Sequence, residues 1–183
     1  YSTFLIFKSE TNEIVAEYQG KAAPDLFANI LFQTGVEYGK SLIVVENNSV
    51  GWAVLSKLQE SGYPNIYYSR KSTHEQVDSY LAESSGVVPG FSTTMKTRPL
   101  IVAKFEEFVR NKLINIKSKR LYNEMKTFVW HNGKPQAMKK HNDDLFSLKN
   151  LKGVNSTNVE TDKIILLVNN GKKILPSMIV ELQ

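Results

Sequence analysis

The sequence predicts an α/β fold, a mixed β-sheet flanked by helices, and three observations carry that reading. Residues 41–45 (S-L-I-V-V) form a short continuous apolar run, followed by a helical repeat and then a second strand-like run. Strand, helix, strand at this spacing is a βαβ unit. The chain opens with two aromatic and β-branched runs around a polar break, the pattern of a hairpin. Finally, 183 residues with 42% hydrophobic content suffice for one domain with a real core.

The elements follow in order. Residues 1–8 and 14–19 are the strands of the hairpin, with Ser9-Glu10-Thr11-Asn12-Glu13 as its turn. A helix begins at Pro24, which suits a first helical position, with Asp25 in the first turn. Leu26, Phe27, Ile30 and Leu31 form its apolar stripe, and Gly35 and Gly39 end it. The run at 41–45 reads as a strand buried on both faces, with Glu46 at its end. Ser49 caps a helix over 50–59 that carries Val54 and Leu58 inward, and 65–69 is the next strand. Residues 70–90 are polar and read as a long surface loop. Thr97 caps a helix to about residue 111, with Ile101, Phe105, Phe108 and Val109 inward. A short strand over 113–116 precedes a helix capped by Ser118. Residues 128–130 are apolar, and His131-Asn132-Gly133-Lys134-Pro135 is a turn. Two strands over 163–168 and 174–180, around Asn169-Asn170-Gly171-Lys172, read as a C-terminal β-hairpin. Trp52, Trp130 and the phenylalanines read as core residues.

Net charge is +5, unevenly distributed. Residues 1–90 hold 6 Lys/Arg against 10 Asp/Glu, and residues 91–183 hold 17 against 8, so the balances are −4 and +9. A basic half points to a polyanionic partner such as nucleic acid; a solvated lysine-rich surface is the alternative. The chain has no cysteine, which excludes disulfides and thiolate metal ligands. No stretch of about 18 apolar residues marks a membrane span.

Three motifs carry possible chemistry. Gly35-Val36-Glu37-Tyr38-Gly39-Lys40-Ser41 imitates a phosphate loop, but it has three residues between its glycines where four are needed. It also follows a helix and opens a strand, so it reads as a turn. Glu46 stands at the carboxyl end of a buried strand, where open α/β sheets place ligands. A charge there needs a partner or a metal. In His141-Asn142-Asp143-Asp144, adjacent carboxylates repel one another and a divalent cation relieves the repulsion; an acidic helix N-terminus is the alternative. Oxygen ligands suit Mg²⁺ or Mn²⁺ rather than Zn²⁺. Two carboxylate sites beside a basic half suit phosphodiester hydrolysis by two ions about 4 Å apart. Lys139 and Lys140 flank the second site and are candidates for phosphate contact. Lys96, Arg98, Lys104, Lys117, Lys119 and Arg120 are candidates for a wider DNA-facing surface, or for a solvated helix face.

Together these segments resemble the C-terminal nuclease domain of the large terminase subunit of tailed bacteriophages. The match rests on Tyr1-Ser2-Thr3-Phe4, on 42–49 (L-I-V-V-E-N-N-S) with Gly51, and on 93–145. The last segment includes 121–128 (L-Y-N-E-M-K-T-F) and 141–145 (H-N-D-D-L). The resemblance spans about residues 1–146, in family order and spacing, and implies an RNase H-like nuclease domain there. Residues 147–183 lie beyond it, as a tail whose hairpin packs on the same domain. The family's first catalytic aspartate, with the central strand that bears it, would lie upstream of Tyr1, so the sheet is expected to lack its first strand.

The resemblance further implies a metal-dependent endodeoxyribonuclease that cuts concatemeric double-stranded DNA during genome packaging. Glu46 matches the second metal-binding carboxylate and Asp144 the third, with Asp143 as its rival. His141 matches a histidine near the metals that would aid proton transfer or phosphate contact. The implied cofactor is a pair of Mg²⁺ or Mn²⁺ ions. The implied partners are DNA, the terminase ATPase domain, the small terminase subunit and the portal, in the cytoplasm of an infected bacterium. A catalytically inactive DNA-binding or packaging-assembly module is one alternative. Another RNase H-like nuclease, such as a junction resolvase, is a second.

Overall fold

A computed structural model describes residues 2–73, 76–140, 164–170 and 180–181. The first hairpin pairs β1 (Ser2–Lys8) with β2 (Glu13–Gly20), antiparallel. Helix α1 (Pro24–Glu37) leads to β3 (Leu42–Val45), and α2 (Ser49–Glu60) follows. Three short strands, β4 (Tyr68–Arg70), β5 (Gln76–Val77) and β6 (Val87–Pro89), come next. Helices α3 (Thr97–Arg110) and α4 (Lys119–Lys126) precede a second hairpin of β7 (Phe128–His131) and β8 (Lys134–Ala137). Strands β9 (Ile164–Asn170) and β10 (Val180–Glu181) complete the described elements.

The main sheet has the order β10-β2-β1-β9-β3. It is mixed: β9 runs antiparallel to β1 and parallel to β3. Alternation along the strands builds two cores, one on each face. Phe4 and Ile6 of β1 and Ile43 and Val45 of β3 join Phe27, Leu31, Val54, Leu55 and Leu58 of α1 and α2. Leu5, Phe7, Leu42 and Val44 point the other way, to Ile101, Val102, Phe105 and Leu121 of α3 and α4. The result is three layers, helices over sheet over helices. This explains why β1 and β3 are apolar without alternation: both of their faces are covered.

Several expectations need correction. Among the described residues, the two strands of the tail do not pair with each other. β9 inserts between β1 and β3, and β10 pairs with β2 at residues Val180↔Glu17 and Glu181↔Ala16. The rest of the expected C-terminal hairpin, residues 171–179, lies outside the described residues. No gap therefore opens between the first hairpin and β3. A strand between two partners satisfies its backbone on both sides, which a terminal hairpin cannot do.

The residues 65–69 do not make one strand: Ile66 makes a single parallel bridge to Ile43, and β4 then leaves the main sheet for a β5-β4-β6 sheet. The loop at 70–90 accordingly contains strands. Residues 113–116 form no strand; Asn115 bridges Glu13 alone. Gly35 lies inside α1, with Tyr63 packed against it, rather than ending the helix. The cap of α2 is Asn48, not Ser49: its Oδ1 accepts from the Gly51 amide at 3.0 Å. At α3, Thr94 Oγ1 accepts from the Thr97 amide, and Thr97 Oγ1 accepts from the Thr94 amide. Ser118 does cap α4, accepting from the Leu121 amide at 2.9 Å. Trp52 and Trp130 are not core residues; they are 42% and 56% exposed. No described helix is long and apolar enough to cross a membrane.

Candidate functional site at the carboxyl edge of the sheet

Strand direction decides which ends meet. β3 and β9 are parallel, so Val45 and Val168 share one edge. β1 runs against β9, which brings Ser2 and Thr3 to the same edge, opposite Asn170 and Asn169. Glu46 follows β3 directly and is half-buried there. Its amide donates to the Val168 carbonyl at 3.0 Å. On the other side it bridges Phe91 in parallel register. The backbone at Glu46 is thus held from both neighbours.

Asn47 holds the loop beside it. The residue is buried, and its amide side chain donates to the Pro89 carbonyl at 3.0 Å and accepts from Ser92 Oγ at 2.7 Å. Its backbone amide donates to the Phe91 carbonyl, while the Phe91 amide donates to the Val45 carbonyl. Gly90 sits at φ +78°, and a Cβ there would stand 2.4 Å from the Val45 carbonyl oxygen. Only glycine tolerates both that conformation and that approach. Gly51, in the first turn of α2, is as close: a Cβ would stand 1.9 Å from the Glu46 carbonyl oxygen. The helix start therefore rests directly on the residue that carries the carboxylate.

Sequence reasoning singled out Glu46 but missed Asn47, Gly51, Gly90 and Ser92 as its supports. The polar string after β3 was a partial signal. The role of residues 89–92 was not readable, because they are more than forty positions away in the chain.

The remaining candidates separate into groups. His141, Asp143 and Asp144 lie outside the described residues. Lys139 and Lys140 are exposed, at the end of the β7–β8 hairpin and immediately before that motif. The hairpin is anchored at the start of α3: Arg98 Nε donates to the Pro135 carbonyl at 3.1 Å, and its guanidinium lies 5.9 Å from the Phe128 ring centroid. Thr94 and Ser92 link the same helix start to Asn47. Lys96 is exposed beside them.

Lys117, Lys119 and Arg120 stand elsewhere. Lys117 pairs with Glu13 at the turn end of the first hairpin, the opposite end of β1 from Thr3. The hydrogen bond from Lys117 and its charge hold the Glu13 carboxyl below its ordinary range. Arg120 Nε lies 4.0 Å from buried Glu17, which also accepts from Ser118 Oγ. Lys119 is exposed on α4, and Lys104 pairs with Glu107 on α3 at 2.9 Å. The sequence-predicted basic surface is thus divided. Lys96, Arg98, Lys139 and Lys140 belong to α3's start and the adjoining hairpin. Lys117 and Arg120 tie α4 to β2.

Among the described residues, no three His, Asp or Glu side chains gather as a metal site. Comparisons with protein-family models, curated proteins and solved structures return no match.

Proposed function

We propose that this chain is a metal-dependent DNA endonuclease domain of the large-terminase type, with an RNase H-like sheet. The observation that carries the reading is the placement of Glu46. Glu46 stands at the carboxyl end of a doubly covered strand, where open α/β sheets receive ligands, and its backbone is fixed on both sides. The donor set fits a hard divalent ion, being oxygen throughout and free of thiolate.

In this reading Glu46, Asp144 and Asp143 hold Mg²⁺ or Mn²⁺, and His141 handles a proton or a phosphate oxygen beside them. Bound ions of this kind activate water and stabilise the leaving oxygen. Lys139, Lys140 and Lys96 hold the backbone of double-stranded DNA, and Arg98 fixes the hairpin that presents the first two. The strand between β1 and β3 is β9, which brings no Asp or Glu of its own, and its carbonyl at Val168 steadies Glu46. The proposed partners are those of a terminase: its ATPase domain, the small subunit and the portal.

The test is plasmid cleavage in Mg²⁺ or Mn²⁺, with EDTA, Glu46→Ala and Asp144→Ala as controls. Cleavage abolished by all three supports the nuclease reading. Cleavage unchanged in Glu46→Ala overturns the role of that residue. Salt-sensitive DNA binding without cleavage favours the non-catalytic module, and preference for branched DNA favours a resolvase.

A further inference from the structure

We propose that the β7–β8 hairpin is a docking element for single-stranded nucleic acid, with Trp130 as its stacking platform. Residues 125–140 contain Lys126, Lys134, Lys139, Lys140 and His131, and no Asp or Glu. The hairpin register puts Phe128, Trp130, Pro135 and Ala137 on one face. Pro135 is buried and Phe128 lies under the Arg98 guanidinium, yet Trp130 on the same face is 56% exposed. The cover from α3 reaches Pro135 on β8, while the indole opposite it on β7 stays in solvent.

Val129 and Met138, 37% and 48% exposed, belong to the opposite face of the hairpin, with His131 and Lys134. At the tip, Asn132 and Gly133 have φ of +50° and +72°, the left-handed pair of a two-residue type I′ turn. That turn holds His131 opposite Lys134, two basic side chains side by side.

Charge complementarity selects the occupant. An apolar protein partner would bury the indole but leave the four lysines of residues 125–140 without counter-charge. A polyanion carrying flat apolar groups satisfies both. A duplex keeps its bases stacked and shows only their edges, whereas an unpaired base offers its π-face to an indole. The short turn and the Arg98 anchor hold the hairpin in place before binding, so little ordering cost remains. The proposal draws on the hairpin whose Lys139 and Lys140 the nuclease reading assigns to duplex DNA, but on none of its metal chemistry: absence of cleavage leaves it standing, and an unquenched indole leaves the nuclease reading standing.

Binding is measured in EDTA, where cleavage plays no part. The chain has two tryptophans, so Trp52→Phe leaves Trp130 as the only indole. An oligothymidylate of about a dozen nucleotides is expected to quench it, and more strongly than a duplex of equal length. Trp130→Ala is expected to weaken oligothymidylate binding roughly ten-fold, while Trp130→Phe keeps most of the affinity. Circular dichroism on each variant checks that the hairpin's host remains folded. An unquenched indole at saturating oligothymidylate, undiminished affinity in Trp130→Ala, or stronger binding of the duplex would overturn the proposal.

Discussion

Gly51→Ala tests how Glu46 is held, because two physical effects oppose each other at that position. In an ordinary helix, alanine is favoured over glycine by about 1 kcal/mol. Here the added Cβ would stand 1.9 Å from the Glu46 carbonyl oxygen, 3.0 Å from its carbonyl carbon and 3.4 Å from Asn48 Oδ1. Ordinary contact begins at 3.4 Å, so the helix start and Glu46 must separate by 3.4 − 1.9 = 1.5 Å. The obstacle is backbone, and it is fixed: the Glu46 amide bonds Val168, and the Gly51 amide bonds Asn48. Overpacking of this kind costs about 1–3 kcal/mol. Loss of the Asn48 cap adds about 1 kcal/mol. Against the helix-propensity gain, the net expectation is destabilisation by about 1–3 kcal/mol, or a fall in Tm of roughly 3–10 °C. Thermal melting followed by circular dichroism reads it. Ala53→Gly on the exposed side of the same helix is the control, since it reports the propensity effect with no clash. A Tm for Gly51→Ala equal to or above the parent would refute the reasoning, because propensity alone would then govern the site.

Three further outcomes are expected. Asn47→Ala leaves the partly buried Pro89 carbonyl and Ser92 hydroxyl without this partner, which is expected to cost about 1–2 kcal/mol in a denaturant titration. Leu5→Ala empties a fully buried position in the core beneath α3 and is expected to cost about 2–5 kcal/mol; a cost below about 1 kcal/mol would mean that β1 is not enclosed as described. Burial pushes the Tyr67 hydroxyl up to about 12. The folded state then holds this proton more tightly than the unfolded chain, whose tyrosine titrates near about 10. Its contribution to stability is complete below about pH 10 and is lost as pH rises toward 12, at up to about 1.4 kcal/mol per pH unit. Tyr67→Phe should flatten that part of the pH–stability curve, and an unaltered curve would count against the burial of the hydroxyl.

Much of the fold was legible in the chain itself. Local chemistry specified the first hairpin, the helix starting at Pro24, the apolar β3 and the Ser118 cap, because each depends on residues within a few positions of one another. The apolar run of β3 even encoded its coverage on both faces. Glu46 stood out for the same reason: a charge ending such a run is a local anomaly. What the sequence could not determine was pairing between distant segments. The sequence 164–170 reads as a strand, but nothing local states that it inserts between β1 and β3 rather than folding back on its neighbour. That choice belongs to the tertiary structure, since backbone hydrogen bonds carry no address and the burial available on each side decides the partner. The support of Glu46 by Asn47, Ser92 and Gly90 has the same origin, as does the exposure of Trp130. Apolarity predicts that an indole prefers burial, but only the reach of α3 across the second hairpin decided that this one would remain in water.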